Sequence, residues 1–259
     1  MQQAGFDSLG LSWRYLAIDL EQGELAGMAG RLRQPQCAGA NVTVPHKRSM
    51  LALVDSLSAQ AKRLSAVNTI VNVEGRLVAE NTDYRGFAAM IARGDLGDLG
   101  ERSVVLLGAG GAARSCLAVL TDRGVGRVHV VARISARGYS MLDDLQLRGD
   151  RRITVHQWAG ATSDPDVMGS EVIVNATPLG LHGELAWPLQ AMTAPKLVLD
   201  LAYRRGGTAL CNAARSQAIP SIGGELMLLE QGAAAFELWT GLAAPAEAMA
   251  AALAAAISN

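Results

Sequence analysis

Val104-Val105-Leu106-Leu107-Gly108-Ala109-Gly110-Gly111-Ala112-Ala113-Arg114 is the stretch on which the fold turns. Its four leading apolar residues suit a short strand buried on both faces of a parallel sheet. Gly108 allows the sharp bend after that strand, and Gly110 lets backbone approach a pyrophosphate. Ala113 supplies the third small position, where the new helix packs on its strand. That helix is expected over Ser115–Arg123, its N-terminus offering free N–H groups and a positive dipole end to phosphates. A glycine turn alone is common. Set between a buried strand and a helix, with another strand candidate at Val128–Val131, it predicts a dinucleotide-binding domain of Rossmann type.

Working outward, further strands are expected at Ile153–His156, Val172–Val174 and Leu197–Leu199, most of them separated by helical spacers. Towards the N-terminus, Trp13–Ile18 reads as a strand, Glu21–Arg33 as a helix, and Cys37–Val42 as a strand. His46–Val54 resumes helical spacing. Thr69–Val73 and Arg76–Glu80 form a predicted hairpin around Glu74-Gly75. Asp83–Arg93 is helical and runs into Gly94, Gly97 and Gly100, read as a linker. Two helices, Leu226–Trp239 and Pro245–Ile257, complete the pattern. The fold class is therefore α/β with a largely parallel sheet.

Composition narrows the function. Lys and Arg total 23 against 24 Asp and Glu, so no global field draws nucleic acid or an acidic membrane, and a small-molecule partner is expected. The three cysteines, Cys37, Cys116 and Cys211, form no CxxC pair and read as small buried residues in a reducing compartment. His46, His129, His156 and His182 lack metal-ligand spacing; they read as structural or solvated, and no metal is expected. The start has no basic segment leading into an apolar core. The Ala-rich end is interrupted by Pro245 and Glu247, so a cytoplasmic protein is the expectation.

Cofactor choice depends on the end of the second strand. NAD binders usually carry an acid there for the ribose 2′-hydroxyl, whereas this chain has Ala132-Arg133-Ile134-Ser135-Ala136-Arg137. Arg133 and Arg137 can pair with a 2′-phosphate or stack on adenine, which favours NADP; as ordinary solvated helix-start residues they would carry no such preference. Elsewhere the chemistry-bearing residues gather in two places. Asn41-Val42-Thr43-Val44-Pro45-His46-Lys47 delivers an amide, a hydroxyl and an ammonium from a strand edge. Asn68-Thr69 and Asn81-Thr82-Asp83 supply the second group. Asp83 reads equally well as a helix cap, and Lys47 taken alone reads as a solvated surface lysine.

Asn41–Lys47, Ala66–Thr69, Asn81–Asp83, Gly108–Ala112, Asn175–Gly180, Asp200–Tyr203, and Met227–Gln231 through Phe236–Gly241 occur in that order. Together they resemble the shikimate dehydrogenase family, over a span from about residue 4 to the end. The resemblance implies a discontinuous substrate domain, residues 1–84 plus 225–259, facing a Rossmann NADP domain, residues 85–224, across a cleft. It implies NADPH-dependent reduction of 3-dehydroshikimate to shikimate and its reverse, in a monomer or homodimer. By the same resemblance Lys47 is the catalytic acid/base with Asp83 beside it. Thr43, Asn68, Asp83, Tyr203 and Gln231 are substrate ligands. Gly108, Ala109, Gly110, Gly111, Ala112, Ala132, Arg133, Arg137, Thr177, Leu201 and Gly224 are cofactor contacts.

These roles suit the chemistry: reducing a carbonyl needs a proton for the nascent alkoxide, which an ammonium can give. A polyol acid needs fixed polar partners, because unpaired buried hydroxyls are costly; Asn41, Thr43, Asn68 and Asn81 answer that need. Trp239 reads as core packing rather than as a cofactor stack.

Three departures from the family pattern stand out. The family opens with a glycine-containing strand and a serine-rich turn, whereas Met1–Ser12 aligns with the helix after them; a truncated or misassigned start is the expectation. Ala132 and Ile134 replace polar residues flanking Arg133, so NAD use, and with it a quinate/shikimate dehydrogenase, is the first alternative. Arg204-Arg205-Gly206-Gly207 comes after Tyr203 without a proline, with little consequence expected for the chemistry. A non-catalytic dinucleotide-binding protein with an incomplete substrate site is the alternative of another class.

Overall fold

The chain folds into two units, residues 1–85 with 229–256, and residues 86–228 with 257–259. The structure is a computed structural model and describes residues 1–95, 98–184 and 187–258.

The first unit runs α1 (Gln2–Ser8), α2 (Leu25–Leu32), β1 (Gly39–Asn41), β2 (Ser56–Leu57), α3 (Ala59–Leu64), β3 (Thr69–Val73) and β4 (Arg76–Glu80), then enters α4 (Asp83–Gly94). Its sheet has the order β1-β3-β4-β2, antiparallel except for the β2–β4 pair. The predicted hairpin forms with Thr69 opposite Glu80. Glu74 and Gly75 both take positive φ, 52° and 84°, the turn geometry that matches strand twist. Inward residues Val67, Ile70, Leu77 and Ala79 pack against Leu25, Ala29 and Leu32 of α2 and Ala61 of α3, one apolar face of a sheet closed by helices. A second cluster seats Phe6 of α1 on Phe236, ring centroids 5.2 Å apart, with Met249 beneath.

Two expectations fail here. No strand forms over Trp13–Ile18. Its backbone pairs instead with a side chain: Gln3 accepts from the Tyr15 N–H at 2.9 Å and donates to the Trp13 carbonyl at 3.0 Å. Trp13 packs on Phe6 and Tyr15 on Trp239, while Leu16 and Ile18 stay exposed. The helix expected over His46–Val54 is a turn followed by a single 3₁₀ turn, Ser49–Ala52. The Lys47 carbonyl accepts from the Val67 N–H at 2.8 Å, which ties this segment to the strand beside it. The linker expected at Gly94, Gly97 and Gly100 is only partly so: Gly94 ends α4, Gly100 lies in a 3₁₀ turn, and Gly97 is outside the described residues. Cys37, expected buried, is half-buried; Cys116 and Cys211 are buried.

The second unit comprises β5 (Ser103–Leu107), α5 (Gly111–Asp122), β6 (Arg127–Ala132), α6 (Ser135–Asp144), β7 (Ile153–Gln157), α7 (Trp158–Ala161), α8 (Pro165–Met168), β8 (Val172–Asn175), β9 (Leu197–Asp200), α9 (Ala209–Ser216) and β10 (Ser221–Gly223). α10 (Gly224–Thr240) and α11 (Ala246–Ser258) complete the chain's elements. The sheet order is β10-β9-β8-β5-β6-β7, with every pair parallel. This is the doubly wound Rossmann order, with its switch point between β5 and β8. The apolar run of β5 sits at the centre, buried on both faces; Val105 and Leu107 pack with Val131, Ile173, Val198 and Trp187. Burying each such side chain contributes about 1.5–3 kcal/mol, so the run that identified the fold also anchors it. Among the described residues no helix is long and apolar enough to cross a membrane.

Candidate functional site

Three segments of the first unit converge beside β3. The chain leaving β1 stays paired, the Val42 N–H donating to the Asn68 carbonyl at 2.8 Å and the Val67 N–H to the Lys47 carbonyl at 2.8 Å. The end of β4 is tied in by the Asn68 N–H donating to the Glu80 carbonyl at 3.1 Å. Lys47 in the turn after β1, Asn68 just before β3 and Asp83 at the start of α4 are thereby brought together.

Lys47 Nζ donates to Asp83 Oδ2 at 2.5 Å, with side chains 13% and 2% exposed. Asn68 Nδ2 donates to Asp83 Oδ1 at 2.8 Å and to Gln231 Oε1, on α10, at 2.8 Å. The orientation of the Asn68 amide is forced: its Oδ1 accepts from the backbone N–H of Thr82 at 2.7 Å, a group that can only donate. Both oxygens of Asp83 are thus engaged. Asn81 Oδ1 accepts from the Asp83 N–H at 3.1 Å and serves the helix start. Gln231 turns its oxygen to Asn68, and among the described residues its NH₂ has no hydrogen-bond partner.

Thr43 is exposed, its hydroxyl on the Val44 carbonyl at 3.3 Å, outside this cluster. Tyr203 belongs to the other unit, in the loop after β9, and is 38% exposed.

In that second unit, the turn from β5 to α5 lies at the switch point. Gly108 has φ +110°, and a Cβ there would sit 3.1 Å from the Ala176 carbonyl oxygen and 3.2 Å from Thr177 Cγ2. Only glycine fits such a conformation and approach. Gly110 is open, with nothing within 4 Å of a Cβ position, and caps α5 without a side-chain hydrogen bond. Ala109, Gly111 and Ala112 complete a helix start whose N–H groups suit phosphate oxygens. Ala132 ends β6 buried. Arg133 and Arg137 are exposed, and among the described residues neither guanidinium has a carboxylate partner.

A polar network fixes the neighbouring strand ends. Asn175 donates to Asp200 Oδ1 at 2.7 Å and accepts from the Thr177 hydroxyl at 2.6 Å. Asp200 also accepts from Thr208 at 2.6 Å and from the Ala202 N–H at 3.1 Å; burial nonetheless pushes its carboxyl above the usual range. These bonds set Thr177 and Leu201. Gly224 lies so close to the Leu201 carbonyl that a Cβ would collide with it.

Asn175, Asp200 and Thr208, which hold the strand ends beside the glycine turn, and in the first unit Tyr15, bonded to Asn41, are residues to which sequence reasoning gave no role. A buried Asp closing an apolar strand, as in Leu197–Asp200, was the available signal.

The family description "Shikimate dehydrogenase substrate binding domain" matches residues 1–70, and "Shikimate 5'-dehydrogenase C-terminal domain" matches residues 224–254. The chain is 34% identical to a shikimate dehydrogenase (NADP(+)) of Desulforamulus reducens, over 96% of this chain and 87% of the other. To that of a Geobacter species it is 36% identical, over 100% and 90%. Its structure is similar to a crystal structure of shikimate 5-dehydrogenase from Thermus thermophilus in complex with NADP(H) and shikimate. There the TM-score is 0.82 and the identity 32%, covering 98% of this chain and 92% of the other.

Proposed function

The chain belongs to the shikimate dehydrogenase family, and on that premise we propose that it catalyses the reversible, NADP-dependent reduction of 3-dehydroshikimate to shikimate. The observation that carries the reading is the Lys47–Asp83 pair, shielded from water and clamped by Asn68.

Bound NADPH supplies hydride chemistry, and the residues present fit it. They offer an open glycine turn, a helix start without a side-chain cap, and two exposed guanidiniums just after β6. Lys47 holds a proton at Nζ for the carbonyl oxygen as that oxygen becomes an alkoxide, and takes it back from the hydroxyl in the reverse direction. Asp83 fixes the direction of the ammonium, and Asn68 fixes Asp83. Asn68 and Gln231 offer polar contacts for ring hydroxyls; Thr43 and Tyr203 are assigned by family resemblance. Gly108, Ala109, Gly110, Gly111 and Ala112 would cradle the pyrophosphate, Arg133 and Arg137 would meet the 2′-phosphate, and Ala132, Thr177, Leu201 and Gly224 would line the rest of the cofactor. A cytoplasmic location accompanies the reading, supported by three free cysteines, and a monomer or homodimer is the assembly proposed with it.

Initial rates with shikimate and with quinate, each with NADP and NAD, test this. The pair shikimate and NADP is expected to be fastest. Cofactor binding by calorimetry with no turnover of either acid would mean a binding protein instead. One observation favours a second reading: Ala132 and Ile134 are apolar, so neither side chain flanking Arg133 can hydrogen-bond a 2′-phosphate. Comparable rates with NAD and with quinate would select that broader dehydrogenase.

A further inference from the structure

A row of hydrogen bonds leads from the surface to the Lys47–Asp83 pair, and backbone groups at Asn68 and Thr82 set the direction of its two amides. The Tyr15 hydroxyl meets Asn41 Oδ1 at 2.9 Å. Asn41 Nδ2 faces the Asn68 backbone carbonyl at 3.3 Å, a group that can only accept, so Asn41 Oδ1 points to Tyr15 and the phenol must donate. Asn41 Nδ2 also donates to Thr69 Oγ1 at 3.3 Å. Thr69 Oγ1 lies 3.0 Å from Asn68 Oδ1, which the Thr82 N–H fixes as an acceptor, so in that bond the threonine hydroxyl donates; the Thr82 hydroxyl, 3.3 Å from both atoms, flanks this joint. Asn68 Nδ2 then donates to Asp83 Oδ1. Every donor points towards the carboxylate.

The geometry points to Tyr15, Asn41 and Thr69 as positioning residues for the reaction, a one-way hydrogen-bond chain that acts through Asn68 on Asp83 and so on Lys47. This rests on the proposed roles of Lys47 and Asp83. Bonds aligned in one direction polarise one another, and a partly buried setting strengthens the effect. The far end is anchored: the Tyr15 ring packs on Trp239, whose indole N–H donates to the Ile70 carbonyl at 2.9 Å. Burial pushes the Tyr15 phenol up, so it remains a donor at working pH. Neighbouring charged and titratable groups are otherwise engaged. Glu80 accepts from Ser58 and the Asn81 N–H, Arg85 pairs with Glu237, and the His46 ring meets the Leu20 carbonyl. None of these bonds enters the chain.

The test uses Tyr15→Phe, Thr69→Val and the double variant, with kcat, KM and the pH profile of shikimate oxidation by NADP, and thermal unfolding as the fold control. Thr69→Val keeps the shape and removes the donor; kcat is expected to fall about 3- to 10-fold, with KM for NADP unchanged. The acid limb of the kcat profile should move to higher pH, because a carboxylate with weaker donors pulls harder on the Lys47 proton. Tyr15→Phe should show a smaller change of the same kind. Because the links act in series, the double variant should lose no more than Thr69→Val alone. Additive losses, a lowered melting temperature with an unmoved pH limb, or no change in kcat would overturn the chain. Lys47→Ala in the same assay keeps the two ideas apart: if it turns over normally, the acid/base assignment is what failed.

Discussion

Replacing Asp83 with Asn removes one charge and almost no volume, yet it breaks the pairing at the centre of the site. Asp83 offers two oxygens to two donors, Lys47 Nζ at 2.5 Å and Asn68 Nδ2 at 2.8 Å. Asparagine has one oxygen and one NH₂, so one of those donors must face another donor. Asn68 cannot turn to help, since its oxygen is held by the Thr82 N–H at 2.7 Å. The favourable choice leaves Lys47 with a neutral acceptor and turns the new NH₂ towards Asn68 Nδ2, which keeps Thr82 Oγ1 at 3.0 Å and Gln231 Oε1 at 2.8 Å as its own acceptors, so it is the new donor that lacks a partner. A buried donor without a partner costs about 1–3 kcal/mol, and breaking a buried ion pair about 3–5 kcal/mol. Lys47 retains some access to water, so a combined loss of about 2–4 kcal/mol is expected. Urea unfolding at unchanged m-value measures it. If the same energy is lost from the transition state, kcat for shikimate oxidation falls by about 30- to 1000-fold. An Asp83→Asn protein as stable and as fast as the parent would refute this reasoning.

Other substitutions have equally direct outcomes. Gly108→Ala forces a side chain into φ +110° and against the Ala176 carbonyl; a loss of about 1–3 kcal/mol and weaker NADP binding are expected, and an unshifted melting curve would contradict it. Arg133→Ala should weaken NADP about 10- to 100-fold while sparing NAD, as calorimetry of both will show; equal weakening would mean that Arg133 does not read the 2′-phosphate. Burial, helped by His156 and Arg127, pushes His129 down to about 4. Since its folded value lies below the unfolded one, the stability tied to neutral His129 is present above pH 6.5 and is lost as pH falls from there towards 4. The loss approaches about 3 kcal/mol by pH 4, readable as a pH-dependent difference in urea unfolding between the parent and His129→Gln.

The second unit was the more legible in sequence because its strands are buried on both faces. Val104–Leu107, Val172–Val174 and Leu197–Leu199 read as unbroken apolar runs, and Val128–Val131 as one broken only by His129; the structure extends each by only a residue or two. The short strands Ser56–Leu57 and Ser221–Gly223 left no such signature, being too brief for a pattern. Trp13–Ile18 misled because its alternation reflects ring packing on Phe6 and Trp239, with a Gln3 side chain standing where a partner strand would be. At the site, residue types were visible but their wiring was not. That Asn68 joins Asp83 to Gln231, 163 positions away, comes from folding and from no local spacing. The role of Asp83 was equivocal in sequence; in the structure its carboxylate faces Lys47 and Asn68, while Asn81 serves the helix start.

Turnover by Lys47→Ala tests the central claim most directly, measured as kcat for shikimate oxidation beside a calorimetric NADP titration of the same preparation. Loss of turnover with undiminished NADP binding is the expected result. Normal kcat in that variant would contradict a proton passing through the Lys47 amine.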